Sequence, residues 1–334
     1  MNVEHGGDVY TNRVKWDYST TLNPFGLPDA IKNILINSMS DWDRYPDPSC
    51  SQLKALTSAR YGFNSESLVF FNGAAEFLYD IVRAINPKSA LTIAPSFTEY
   101  TAALNTVACV TNTYFLDADN DFRLDCQDFC NHINDDTDIV FICNPNNPNG
   151  LLINRDDMAS IAKCCEDKHC YLIIDECLKD LSSEGLTSEV FYNNPYVILL
   201  RAFTKSYALA GIRLAYANIN QPEIIDKLNT IRQPWSVSVP AQIAGAHALT
   251  DCDDYIIASR EFIHTSKPIL INNLKEKGYK VFPSDGNYVL FYSDNHNLKE
   301  EYLKKEILIR DCNNYSGLGP GYYRVRVGKY LFDE

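Results

Sequence analysis

LRAFTKSYALAGIRLAY, residues Leu200–Tyr216, decides how the rest of the chain is read. It continues an apolar run, Tyr196–Leu200 (YVILL), that predicts a buried strand, and it then turns at a single lysine, Lys205. A run of small and apolar residues follows, Ala208–Leu209–Ala210–Gly211, and Arg213 stands eight residues beyond the lysine. An amine set among Ala, Phe, Leu and Gly has little water to keep its ammonium charged. Desolvation lowers its pKa, and a neutral amine is a nucleophile toward aldehydes. A lysine taken alone is most often a solvated surface group, so the weight falls on what the other segments carry.

On both sides of this stretch, from about Tyr45 to Asn220, short apolar runs alternate with helical patterns. Leu68–Phe71, Ala90–Ala94, Asn112–Leu116, Asp138–Cys143, Tyr171–Asp175, Tyr196–Leu200 and Leu214–Ile219 predict strands. Within Ala74–Ile85, Phe77, Leu78, Ile81, Val82 and Ile85 recur at helical spacing. Strands this apolar, alternating with helices, predict an α/β three-layer sandwich with a mostly parallel central sheet covered on both faces. From Pro240 to about Lys277 the pattern is mostly helical. It is followed by Tyr279–Phe282, Asn287–Tyr292, the charged helix Leu298–Glu306, Ile307–Cys312 and Tyr322–Val327, a small α+β domain. The expected organisation is a turn-rich N-terminal arm (1–45), a large domain (46–235) and a small C-terminal domain (236–334) that works with the arm.

The net charge of −13 argues against nucleic acid or an anionic membrane surface as partner. No apolar run reaches the length of a membrane span, and the polar N-terminus shows no secretory signal. Eleven cysteines in such a chain predict reduced thiols and a cytoplasmic location. Cys164, Cys165, His169 and Cys170 cluster without a second ligand pair at zinc spacing, so no metal site is expected. An anionic ligand would need arginines concentrated locally against the global charge.

Several segments meet separate chemical needs. Asn72–Glu76 (NGAAE) follows an apolar strand and opens a helix, so its N–H groups can face an anion, with Arg213 as the natural cation. Asp175 ends the strand YLIID, where open α/β sheets bind ligands. Cys143–Gly150 (CNPNNPNG) is a rigid turn after another apolar strand. In Tyr323–Val327 (YRVRV), Arg324 and Arg326 share one face.

With Arg44–Asp47 (RYPD) and Pro95–Phe97 (PSF), these segments resemble the fold type I pyridoxal 5'-phosphate (PLP) enzymes of the class I/II aminotransferase family. The resemblance runs over nearly the whole chain, and the CNPNNPNG octapeptide is its most specific part. It implies Lys205 as the aldehyde-binding lysine, Asp175 as partner of the pyridine nitrogen and Asn147 as donor to the phenolic oxygen. Gly73, Ala74, Ala75, Thr204 and Arg213 fall among the cofactor-binding positions, and Phe97 stacks on the ring. Tyr45 is implied to reach the phosphate of a neighbouring subunit, hence a homodimer with shared active sites. Arg324 is implied to bind a substrate carboxylate or phosphate, with Arg310, Asn23 and His5 beside it, so the expected substrate is a small anionic amino acid.

Within the family, His5–Gly7, Thr20–Gly26, Pro234–Val237, Ile307–Cys312 and Tyr315–Leu318 resemble the branch that decarboxylates L-threonine O-3-phosphate for cobalamin biosynthesis. The histidinol-phosphate aminotransferases share the lysine, asparagine-proline and RYP segments. The resemblance therefore implies a PLP-dependent lyase or, as the alternative, an aminotransferase acting on a phosphorylated or phosphonate amino acid. Cleaving Cα–COO⁻ gives the first and Cα–H the second, and substrate orientation selects between them. A third reading, a catalytically idle PLP-binding protein, has to set aside an intact Lys205, Asp175, Asn147 and Arg213.

Four features depart from the pattern. Leu178 stands where aminotransferases carry a tyrosine and is apolar, as in the decarboxylases. Ala202 replaces a phosphate-binding serine, and Gly328, followed by Lys329, stands where the decarboxylases have a second arginine. The sequence ends at Glu334 just after a strand, so a C-terminal domain without the family's last helix is expected.

Overall fold

The computed structural model describes residues 5–184 and 190–328. Seven strands form its central sheet: β1 (Leu68–Phe71), β2 (Ser89–Ala94), β3 (Val110–Phe115), β4 (Ile139–Cys143), β5 (Tyr171–Asp175), β6 (Val197–Ala202) and β7 (Ala215–Ile219). Their spatial order is β1-β7-β6-β5-β4-β2-β3. Every neighbouring pair is parallel except β1–β7 and β6–β7. The exception is β7 itself, antiparallel to both of its neighbours. A parallel return is usually made through a full helix that covers the sheet. The lysine-bearing connection after β6 holds only one helical turn, Phe203–Ser206, and the chain comes back antiparallel.

The sheet is buried on both faces. Along β5, Leu172 and Ile174 pack into one core and Ile173 into the other; along β6, Val197 and Leu199 oppose Ile198 and Leu200. Helices Gly73–Ile85 and Pro222–Ile231 cover one face, while Arg155–Asp167 and Val239–Asp251 cover the other. Cys165 and Cys170 lie in the second of these cores, packed against the sheet. The three-layer α/β arrangement is therefore as expected. Edge strand β3 alternates exposed and half-buried residues and begins at Val110, two residues earlier than its apolar run implied.

A second, antiparallel sheet runs Arg310–Asp311, Tyr322–Arg326, Tyr288–Tyr292, Lys280–Val281. Its core includes Ile263, Leu270 and Leu274 of the 24-residue helix Asp253–Glu276, together with Val289, Phe291, Tyr323 and Val325. Ile307–Cys312, read from sequence as one strand, splits in two. Ile307–Leu308 pairs with Trp16–Asp17 of the arm, whereas Arg310–Asp311 pairs with Tyr322–Arg326. The arm also contains a helix, Asp29–Asn37, that the sequence reading did not place; it buries Ile31 and Leu35. Among the described residues, no helix is long and apolar enough to cross a membrane.

Candidate active site

Parallel strands present their carboxyl ends along one edge of a sheet. Here that edge borders a cavity of about 390 Å³. Phe97 reaches it after β2, Asn147 after β4, Asp175 as the last residue of β5, and Thr204 and Lys205 after β6. The N-terminus of helix Gly73–Ile85 closes one side with Ala74 and Ala75, and the second sheet closes the other with Arg310 and Arg324.

Lys205 is half-buried in the one-turn helix. Loss of solvent, then the charges of Arg324 and Arg213, push its pKa down to about 8. A substantial neutral fraction therefore exists near physiological pH. Asp175 is buried. It accepts hydrogen bonds from Tyr100 Oη (2.8 Å) and from the Cys177 N–H (2.9 Å). Burial raises its pKa, and the hydrogen bonds from Cys177 and Tyr100 together with the Lys205 charge pull the other way. The result is a carboxylate oriented by two donors in a dry setting.

Gly73 and Arg213 are packed directly against each other. Gly73 has a left-handed φ of 79°, and a Cβ there would lie 2.6 Å from Arg213 Cζ. The guanidinium thus occupies the space a side chain would take, directly at a helix N-terminus. Arg213, itself at φ 64°, is braced by a hydrogen bond from Nη1 to the Ala210 carbonyl (3.2 Å). A cation beside the free N–H groups of a 13-residue helix is an anion cradle.

On the opposite wall, Asn147 Oδ1 accepts from Tyr315 Oη (3.1 Å) and from Arg324 Nη1. With Oδ1 engaged as acceptor, Nδ2 is the donor that a phenolic oxygen would need. Arg310 and Arg324 are cross-strand partners in the second sheet, both buried and both lining the cavity. Arg324 also donates from Nη2 to the Ser19 carbonyl (2.7 Å), and its Nε is buried without a hydrogen-bond partner. Arg310 donates to Asn314 Oδ1 (2.8 Å) and lies over the Tyr315 ring. His5 borders the same cavity, half-exposed, with Nε2 3.1 Å from Glu99 Oε1.

Two of the residues named from the sequence do not line this cavity. Tyr45, expected to act on a neighbouring subunit, is 77% exposed and lies against the Trp235 ring (4.7 Å between centroids). Asn23, expected to meet the substrate, is buried behind the lysine turn. Its Nδ2 donates to the Ser206 carbonyl and to Ser259 Oγ, each at 2.8 Å, and its Oδ1 accepts from the Phe25 N–H (2.9 Å). Its side chain is fully engaged within the protein, and substrate contact is corrected to an internal bracing position. Of the departures, Leu178 forms an apolar part of the cavity wall and Ala202 borders it. Gly328 has no room for a side chain, since a Cβ would collide with the Tyr18 ring. Lys329 lies outside the described residues.

A sequence profile of the aminotransferase class I and II family matches residues 17–329. The chain belongs to that family. It is therefore a PLP-dependent enzyme. It is 30% identical over 339 residues to the threonine-phosphate decarboxylase of Salmonella typhimurium, covering 98% of this chain and 93% of that protein. It is 31% identical over 323 residues to the histidinol-phosphate aminotransferase of Methanococcus aeolicus, covering 93% and 85%. Among solved structures it is similar to the histidinol-phosphate aminotransferase of Clostridium acetobutylicum, with TM-score 0.85, 30% identity and 94% of each chain covered. The fold also matches the L-threonine-O-3-phosphate decarboxylase of Porphyromonas gingivalis, with TM-score 0.82, 21% identity and 93% and 94% covered.

The cavity of this family member has the donors the cofactor requires. The Gly73–Arg213 cradle suits its phosphate, the buried Asp175 its ring nitrogen, Asn147 its phenolic oxygen and Lys205 its aldehyde. Three supporting residues were not assigned from the sequence: Tyr100 on Asp175, Tyr315 on Asn147 and Ser19 on Arg324.

Proposed function

We propose that this enzyme decarboxylates an O-phosphorylated amino acid, with L-threonine O-3-phosphate as first candidate. The observation that carries the reading is the pair Arg310 and Arg324. They are buried side by side in one cavity with Lys205, on a chain whose overall charge is −13. Two guanidinium groups in a dry pocket call for a ligand with more than one anionic group, and a phosphorylated amino acid brings a phosphate and a carboxylate. The decarboxylase relative covering 98% of the chain points the same way, as does the apolar Leu178.

When bound, PLP supplies an electron-accepting ring. The chain's residues do the rest. Arg310 and Arg324 hold the two anionic groups and thereby set which bond at Cα is presented for cleavage. Asp175 holds a proton at the ring nitrogen. Lys205 Nζ, with its depressed pKa of about 8, takes up and returns a proton near neutral pH. Leu178 and Phe97 reduce water access around these groups.

The reading includes a homodimer. Tyr45, Trp42, Met39 and Trp235 are exposed, and a second copy covering them would bring Tyr45 toward a neighbouring cavity. It also includes closure by the arm (1–45) and small domain (236–334) over the large domain (46–235), and residence in the cytoplasm, in keeping with eleven free cysteines. The second reading, transamination of a phosphorylated or phosphonate amino acid, is supported by the Methanococcus and Clostridium aminotransferases at 31% and 30% identity.

Incubating the holoenzyme with O-phospho-L-threonine separates the two. Decarboxylation gives stoichiometric CO₂ and no need for a keto acid. Amino transfer to 2-oxoglutarate without CO₂ overturns the first reading.

A further inference from the structure

We infer that Asn23 is a positioning residue for Lys205, acting from outside the cavity through the peptide backbone. The inference deepens the reading above and rests on its assignment of Lys205.

The lysine sits in a helix of one turn, Phe203–Ser206. Helix C-terminal carbonyls lack intrahelical partners, and a helix this short offers little cooperativity to hold its own shape. Beyond the long bond from the Ala208 N–H to the Lys205 carbonyl (3.5 Å), Asn23 supplies the donors. Its backbone N–H donates to the Lys205 carbonyl (3.0 Å), and its side-chain Nδ2 donates to the Ser206 carbonyl (2.8 Å). The same Nδ2 is tied to Ser259 Oγ of the long helix (2.8 Å), and Oδ1 is tied to the Phe25 N–H. On the far side of the turn, Ser206 Oγ donates to Asp180 Oδ2 (2.7 Å). Asn23 and Ser259 are 2% and 0% exposed, so these bonds are shielded from competing water. Only an amide combines a donor that reaches the Ser206 carbonyl with an acceptor for the Phe25 N–H on so short a stem.

The segment bearing Asn23 is also held at its other end. Ser19 O accepts from Arg324 Nη2 (2.7 Å) and Thr21 O from Asn287 Nδ2 (3.1 Å). An anion-facing arginine and the reactive lysine thus grip the two ends of Ser19–Asn23. Removing the amide donor frees the lysine turn while leaving the arginines in place. The expected consequence is slower chemistry at Nζ with anion recognition kept.

The test uses Asn23→Ala and Asn23→Asp. The second keeps size and the acceptor for Phe25, and it remains informative should the alanine variant fail to fold. Three quantities are measured: the rate at which apoprotein develops its visible band on addition of PLP, kcat and KM for O-phospho-L-threonine, and the holoenzyme's Kd for inorganic phosphate. The expected result is a fall of at least tenfold in the first rate and in kcat, with KM and Kd within twofold of wild type. A tenfold rise in KM with unchanged kcat makes Asn23 a substrate ligand and overturns the inference. So do band formation and kcat that both stay within twofold. If wild-type apoprotein forms no adduct, the assignment of Lys205 fails and this inference with it; if wild type does and both variants match it, the inference alone fails.

Discussion

Gly73→Ala should separate cofactor affinity from fold stability in a way that few substitutions can. Two costs are readable at this position. The first is backbone strain, because φ at Gly73 is 79° and an L-residue there loses about 1–2 kcal/mol. That cost is present with or without ligand, so it lowers stability and leaves affinity alone. The second is displacement of Arg213, whose Cζ lies 2.6 Å from the added Cβ. Losing a charge-assisted hydrogen bond to a phosphate costs about 1.5–3 kcal/mol. That corresponds to a Kd for PLP weaker by roughly 10- to 150-fold. Gly62→Ala is the control, since Gly62 has a φ of 75° and nothing within 4 Å of its added Cβ. Spectroscopic titration of apoprotein with PLP, beside thermal unfolding, should show both variants destabilised, Gly73→Ala at least as much as Gly62→Ala, and only Gly73→Ala weakened in binding. A Gly73→Ala Kd within twofold of wild type would refute the Arg213 cradle.

Other outcomes follow from the buried charges. Lys205, with a pKa of about 8, should be about half neutral at pH 8 and about a tenth neutral at pH 7. Its reductive labelling in the apoprotein should then rise through pH 8, and Arg324→Met should move that midpoint upward; a profile centred above pH 10 would contradict the desolvated amine. Tyr100→Phe removes one of the two donors to Asp175 and should lower kcat by roughly tenfold through a further rise in the carboxyl pKa; unchanged kcat would show that the hydroxyl does not tune Asp175. Glu176, buried against Arg201 Nε (3.0 Å) and Nη2 (2.8 Å), gives a stability test on side chains that do not line the cavity. Arg201→Met should cost about 3 kcal/mol in urea unfolding, near the low end for a broken buried pair because Lys179 still faces Glu176.

Much of the site was legible because its groups sit at the ends of apolar strands. Asp175, Asn147 and Lys205 each follow such a run, and parallel strands deliver their carboxyl ends to one edge. What the sequence could not disclose are pairings between distant segments. Tyr100 meets Asp175 across 75 positions and Tyr315 meets Asn147 across 168, and neither contact leaves a periodic trace. Asn23 shows a second kind of limit. Its motif put the segment beside the substrate anion, but which way its amide points depends on a register set by Ser19, Thr21 and Leu22, whose carbonyls are held by Arg324 and Asn287. Ile307–Cys312 reads as one strand because its apolar content is continuous, yet its two halves serve different sheets. The helix at Asp29–Asn37 did carry a signal, Ile31, Ile34 and Leu35 at helical spacing, that a turn-rich setting hid.

Reducing the PLP-loaded protein with borohydride and mapping the modified peptide by mass addresses the account at its root. One phosphopyridoxyl group per chain is expected, attached to Lys205 and absent from the Lys205→Ala variant. A reduced adduct on any other lysine, or none at saturating PLP, would contradict it.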